Sequence, residues 1–325
     1  MKYFIFLFLV FTTLSEVNAE DEYSIVFVHI GNTLPPYTKT ALSQARLFNP
    51  TCPIILLASE KSLDAFENTN AEINITQITC ESLTTTLAHK EFNAKKKMKG
   101  FWRTTSERFL YLNDLMTQYN LTNVFHLEND NMLYTNVGSL LPIIQEHYKG
   151  MAAPFANDNR CIPSFVYIPD QQIIDRLSWC FVKHFSKGYN DMDILAIFKN
   201  EDGIDSMDLF PTVTKKYVTE NKLISPVGHK AKNNNQFCQY ADLFESIFDA
   251  AAIGQYLGGS SPESGGVPPG FINESSVYNP SLFTYEWILD EEHRKIPYAC
   301  YGGLKFRINN LHIHSKQLDK YSSTP

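Results

Sequence analysis

The sequence predicts an α/β fold: a single Rossmann-like domain with a mostly parallel central sheet flanked by helices. Three observations carry this. Short β-branched and aromatic runs alternate with helix-length segments through the first half of the chain, as in a parallel sheet covered on both faces. The clearest helix, residues 101–119, leads straight into an apolar run at 123–127. No internal repeat or linker divides the 325 residues, a length that one large α/β domain accommodates.

The elements follow in order. Residues 1–19 read as a secretory signal peptide: Lys2 supplies positive charge, an unbroken apolar run covers 3–11, and Val17-Asn18-Ala19 offers small residues for cleavage. That run is too short to span a bilayer, which takes about 20 residues, and no later segment is apolar enough to do so. Residues 20–325 then form the domain. Strands are expected at 23–30 (ended by Gly31-Asn32), 53–58 and 72–78, with helices at 38–48 and 62–67. Beyond 127 the expected elements are a strand at 165–168 and helices at 171–185 and 191–198. Residues 230–235 form a polar loop, 258–270 a Gly-, Ser- and Pro-rich loop, and 304–308 a strand.

Composition narrows the function. A net charge of −7, with one short basic run at Lys95-Lys96-Lys97 and Lys99, argues against nucleic-acid binding. Six cysteines (Cys52, Cys80, Cys161, Cys180, Cys238, Cys300) have no zinc-motif spacing, and in a secretory chain they predict at least one disulfide. Asn74, Asn120 and Asn273 each open an N-glycosylation acceptor pattern.

The chemistry concentrates at Glu128-Asn129-Asp130, directly after the strand at 123–127. Two carboxylates at a rigid strand end suit a divalent metal with open positions for phosphate oxygens. Spacing alone does not select this pair. Asp and Glu number 35 of 325, and the chain holds four acid-x-acid pairs, about what chance supplies. Glu20/Glu22 and Asp290/Glu292 lie in polar, loop-like runs. Asp191/Asp193 opens a helix, where residues i and i+2 point about 200° apart. Only Glu128/Asp130 follows an apolar strand.

Other candidates gather around that pair. His312 and His314 share a face if the strand at 304–308 continues; either could complete a metal shell, and Lys316 could meet a phosphate. Arg108 sits in line with Leu112 and Leu115 on the 101–119 helix and needs an anionic partner, a diphosphate or a structural carboxylate. Arg103 is a weaker candidate of the same kind, and Trp102 reads as core packing. Asp249, beside Ala250-Ala251-Ala252, reads equally as a helix cap or as a carboxylate facing an acceptor hydroxyl. His29 and Gly31 close the first strand, where such sheets often hold a nucleotide base, and Gly31 reads first as a turn residue.

This combination resembles the glycosyltransferases of the GT-A fold, the nucleotide-diphospho-sugar transferase superfamily. The resemblance spans most of the chain through ordered landmarks: first strand, acid-x-acid pair, acid-bearing helix and C-terminal histidine. It implies transfer of a hexosyl or N-acetylhexosaminyl group from a nucleoside-diphosphate sugar to a hydroxyl of a glycan, glycoprotein or glycolipid. It also implies Mn²⁺ or Mg²⁺ at Glu128, Asp130 and His314 or His312, with Asp249 at the acceptor. His29, Gly31, Arg103, Arg108 and Lys316 would then line the cofactor side. Two departures stand out: the first acid is Glu rather than the usual Asp, and Phe248-Asp249 replaces the Glu-Asp of many inverting members. Such an enzyme fits the lumen of the secretory pathway. Two other classes share the features: a secreted glycoside hydrolase pairing Glu128 or Asp130 with Asp249, and a non-catalytic carbohydrate-binding protein with a Ca²⁺ or Mn²⁺ site.

Overall fold

The computed structural model describes residues 23–64, 66, 73–95, 100–202 and 205–324. The expected signal peptide and Lys96, Lys97 and Lys99 lie outside the described residues. Among the described residues fifteen strands run in chain order: β1 Ser24–His29, β2 Ile54–Ala58, β3 Thr76–Thr79, β4 Val124–Leu127, β5 Asn131–Leu133, β6 Met151–Ala153, β7 Phe155–Asn157, β8 Arg160–Cys161, β9 Phe165–Ile168, β10 Met207–Leu209, β11 Ser246–Ile247, β12 Thr284–Leu289, β13 Lys295–Tyr301, β14 Leu304–Ile308 and β15 Asn310–His312. Seven of them form the central sheet, in the order β10-β6-β9-β4-β1-β2-β3. β9 runs antiparallel to β4 and β6, and the other four pairings are parallel. The fold is thus the mixed α/β architecture that the sequence predicts.

The central strands read as unbroken apolar runs because both faces are covered. Every residue of Ile54–Ala58 and Val124–Leu127 is buried, as two-sided burial requires. The Phe101–Tyr119 helix packs on this sheet and on the Gln171–His184 helix through Phe109, Leu112, Leu115 and Met116. It ends at Asn120 in the left-handed region (φ 51°), a conformation asparagine tolerates better than most residues. Trp102 is not core, contrary to expectation: it is exposed on the first turn, edge-on to Phe101.

Strands β12 and β13 were not apparent in the sequence. They join β14 and β11 in a separate four-stranded sheet whose edge strand Thr284–Leu289 is largely solvent-facing, so its residues carry no core pattern. Asp290 and Glu292 turn the β12–β13 hairpin.

A second correction concerns the cysteines. No disulfide joins any of the six. They sit on separated elements, Cys161 on β8, Cys180 on the Gln171–His184 helix and Cys300 on β13, so an even count did not translate into adjacency. Among the described residues no helix is long and apolar enough to cross a membrane.

Candidate metal centre

Two strand pairings build the site. β4 ends at Leu127, and the chain turns tightly through Glu128-Asn129-Asp130, with Asn131 N–H donating to the Glu128 carbonyl at 3.0 Å. It re-emerges as β5. β15 then pairs antiparallel with β5, His312 opposite Asn131, and Ile313 N–H donates to the Asp130 carbonyl at 2.9 Å. Residues distant in sequence, Asn131 and His312 among them, are thereby fixed by backbone bonds. Asp130 and His312 are buried, and Glu128 is half-buried.

One nitrogen faces both acids. His312 Nε2 lies 3.1 Å from Glu128 Oε2 and 3.2 Å from Asp130 Oδ1, and one ligand atom from each of the three residues falls within 4.8 Å of the others. His312 Nδ1 is buried and has no hydrogen-bond partner among the described residues. Two carboxylate oxygens and an imidazole nitrogen around one point form the donor set that a hard divalent cation accepts.

Cations close the rest of the cluster. Arg108 is buried and bridges two acids, donating through Nη1 to Glu128 Oε1 and through Nη2 to Asp191 Oδ2 at 2.7 Å. Its partner is therefore carboxylate, the second of its two predicted roles. Lys316 Nζ donates to Asp130 Oδ2 and lies 5.7 Å from the centre of the Tyr37 ring. Burial alone would raise both carboxyl pKa values. Arg108 and His312 outweigh it at Glu128, and His312 and Lys316 hold Asp130 well below the usual range. Burial likewise disfavours the His312 cation, but Asp130 and Glu128 raise its pKa overall. At Asp191 burial prevails over Arg108 and the pKa rises.

The Asp191/Asp193 pair diverges as helix geometry requires. Asp191 turns inward to Arg108, while Asp193 Oδ2 accepts the Asn190 N–H at the helix start.

His314 is close to this cluster but outside its three-ligand set. Its ring centre is 4.2 Å from that of His312, and its Nδ1 is 3.2 Å from Gln255 Nε2. Burial, then the neighbouring His312, push its pKa down to about 3.

Asp249 needs a correction. It is fully buried, and its carboxylate is taken up by backbone donors. Its Oδ1 accepts Ile253 N–H at 2.9 Å, and its Oδ2 accepts Gly254 N–H at 2.9 Å and His312 N–H at 3.0 Å. The carboxylate caps the Ala252–Gly258 helix and ties it to β15. Gly254 makes that contact possible, because a Cβ there would lie 2.1 Å from the His312 carbonyl oxygen.

Arg103 is also held elsewhere, by Asn93 Oδ1 at 2.5 Å and Glu107 Oε2 at 3.5 Å. His29 stands beside the acid pair, its Nδ1 3.5 Å from Asn129 Nδ2. Gly31 is exposed, and its carbonyl accepts Ser59 Oγ and Ser62 Oγ. Sequence reasoning missed Asp191 as an Arg108 partner and Gln255 as a His314 partner. Gln255 lies six positions beyond Asp249, on the helix already under suspicion, and that proximity was the available signal.

No family model matches the chain, and no curated protein matches it. Among solved structures it is similar to mouse xyloside xylosyltransferase 1, at 10% identity and a TM-score of 0.46 over 61% of this chain and 90% of that one. It is similar to the galactosyltransferase LgtC in complex with donor and acceptor sugar analogues, at 15% identity and a TM-score of 0.41 over 61% and 77%. A cytidylyltransferase from Leptospira borgpetersenii matches at 9% identity and a TM-score of 0.37 over 59% and 76%.

Proposed function

We propose that this protein is a metal-dependent glycosyltransferase, moving a sugar from a nucleoside-diphosphate donor to a hydroxyl of a glycan or glycoconjugate. The observation that carries this is the placement of His312 Nε2 between Glu128 Oε2 and Asp130 Oδ1, beyond the carboxyl end of β4. Ligands of Rossmann-like sheets bind at that edge. Mn²⁺ or Mg²⁺ fits the donor set, with Glu128, Asp130 and His312 as its ligands. When bound, such an ion neutralises charge building on a leaving diphosphate.

The chain's own residues divide the remaining work. Arg108 keeps Glu128 ionised and fixes its rotamer. Lys316 and the His312 proton balance the acids while no metal is present. With a cation held at Asp130, the Lys316 ammonium would be available to a phosphate oxygen, where it would stabilise developing negative charge. His29 and Asn129, at the ends of β1 and β4, stand where the nucleoside would lie, and Asp249 positions His312. A lumenal location in the secretory pathway rests on the N-terminal segment and on the acceptor patterns at Asn74 and Asn120, and the cysteines, which form no disulfide, add nothing to it.

The hydrolase reading loses its geometry. Glu128 and Asp130 lie against a single imidazole nitrogen, their facing oxygens within 4.8 Å. Both acids turn onto that one nitrogen, whereas the two carboxyls of a retaining pair must flank a glycosidic bond. Asp249 is buried, so it does not supply the second acid.

Thermal-shift measurements with UDP, GDP and CMP, each with and without Mn²⁺, test the proposal. It expects one nucleoside diphosphate to stabilise the protein, and far more so with Mn²⁺ present. Stabilisation by Mn²⁺ with no nucleotide effect would instead favour a metal-dependent carbohydrate-binding protein.

A further inference from the structure

We infer that His314 is not a metal ligand but a fixed hydrogen-bond donor, whose Nε2–H takes an oxygen of the metal-bound diphosphate. This rests on the reading of the site as a metal–diphosphate centre.

A backbone amide sets the direction of the whole chain of bonds. Ser275 N–H donates to Asn273 Oδ1 at 2.8 Å, and a backbone N–H can only donate, so the other end of that amide is its NH2 group. Asn273 Nδ2 donates to Gln255 Oε1 at 2.6 Å. That turns Gln255 Nε2 toward His314, where it lies 3.2 Å from Nδ1. An amide NH2 has no acceptor capacity, so Nδ1 presents its lone pair. With Nδ1 unprotonated, the ring carries its proton on Nε2.

Two consequences separate the adjacent histidines. Metal coordination through His314 Nε2 would need the proton on Nδ1, where it would confront the Gln255 NH2, donor against donor. His312 has no such constraint: its Nε2 already faces both carboxylates and its Nδ1 has no partner among the described residues. His312 can therefore ligate, and His314 is held as a donor. His314 Nε2 is itself buried with no partner among the described residues, a state that carries a desolvation cost until an acceptor arrives. Its ring lies 4.2 Å from the His312 ring, two residues from Lys316. An anion drawn by the metal and by the released Lys316 ammonium is the acceptor that this position meets.

The relay also assigns Asn273. Its side-chain nitrogen is engaged inside the fold, so its N-glycosylation pattern is better read as part of the relay than as a glycan site.

Three measurements decide. In ¹⁵N-histidine NMR of the whole protein, His314 should show the Nε2–H tautomer, and Gln255→Glu should bring a proton onto Nδ1. In calorimetry, His314→Ala should bind Mn²⁺ as the wild type does but bind inorganic pyrophosphate in the presence of Mn²⁺ about tenfold more weakly, the loss of one hydrogen bond to a charged group. His314→Gln, which keeps an N–H donor, should recover part of that loss. A His314→Ala variant that loses Mn²⁺ affinity as His312→Ala does would make His314 a ligand and overturn the inference. So would unchanged pyrophosphate affinity, which would leave Nε2–H for a sugar hydroxyl or for nothing. If the wild type binds no Mn²⁺–pyrophosphate at all, the site reading itself has failed, and this contact falls with it.

Discussion

Two buried histidines in this molecule each sit between two carboxylates, and they do different things. His89, on the Leu87–Ala94 helix, points Nδ1 at Asp114 Oδ2 (2.5 Å) and Nε2 at Glu107 Oε1 (3.5 Å). Both acids lie on one face of the Phe101–Tyr119 helix, seven positions apart. Each ring nitrogen has its own acid, so the trio is saturated and locks two helices together. His312 spends a single nitrogen on both Glu128 and Asp130 and leaves the other without a partner. A proton shared by two acids at one nitrogen occupies the place that a cation can take. Residue types do not distinguish the two trios. The division of acids between ring nitrogens does.

The comparison can be broken most forcefully at Arg108, which supports only the His312 cluster. Arg108→Met would leave the buried Asp191 without its cation and half-buried Glu128 with His312 alone. It should cost about 3–5 kcal/mol of stability in chemical denaturation. A loss below about 1 kcal/mol would mean that Arg108 does not organise the cluster.

Asp130→Asn comes next. It replaces a charged ligand oxygen by a neutral amide, and transferase turnover should fall by more than the roughly 10–100-fold of changes outside the ligand shell. Excess Mn²⁺ should restore it only in part. Turnover within a few-fold of wild type in steady-state assays would detach the acid pair from the chemistry.

His89→Gln sharpens the other side. Burial lowers the His89 pKa, but its bonds to Asp114 and Glu107 raise it overall above 6.5. The folded pKa exceeds the unfolded one, so this stabilisation is complete below about pH 6.5 and is lost as pH rises through the raised value. The variant should lose about 1–3 kcal/mol at pH 6 and less at pH 9, while keeping wild-type turnover per folded molecule. Equal losses at both values would show that His89 is held as the neutral ring.

The smallest effect is a slope. Metal must displace the His312 proton, and that proton is held more tightly than in free histidine. Mn²⁺ affinity should therefore climb by up to about tenfold per pH unit below the raised His312 pKa and level off above it. A flat profile from pH 6 to 8 by calorimetry would exclude His312 from the shell.

Much of this was legible before folding. The strands β1, β2 and β4 declare themselves because both of their faces are buried, and the acid pair stands out because it follows one of them. His312 and His314 do meet, ring against ring, but not by strand alternation: β15 ends at His312 and His314 lies in the turn beyond it. What sequence could not show lies in contacts between distant positions. Two of the backbone donors to the Asp249 carboxylate, Ile253 and Gly254, belong to the helix that the cap reading anticipated, but the third comes from His312, 63 positions away, and no local signal shows it. Arg108 had a clear need for an anion, but its meeting with Asp191, 83 positions away, depends on how two helices pack. The Thr284–Leu289 strand hid because a solvent-facing edge strand needs no core pattern, and cysteine parity says nothing about which thiols meet.

The central claim is that a nitrogen shared by two acids makes a cation site and a ring with one acid per nitrogen does not. Mn²⁺ titration of the metal-stripped protein by calorimetry, on wild type, His89→Gln and His312→Gln side by side, tests it most directly. The account predicts about one Mn²⁺ bound by wild type and by His89→Gln at matching affinity, and a loss exceeding about 100-fold in His312→Gln. Mn²⁺ binding that survives His312→Gln but vanishes in His89→Gln would contradict it.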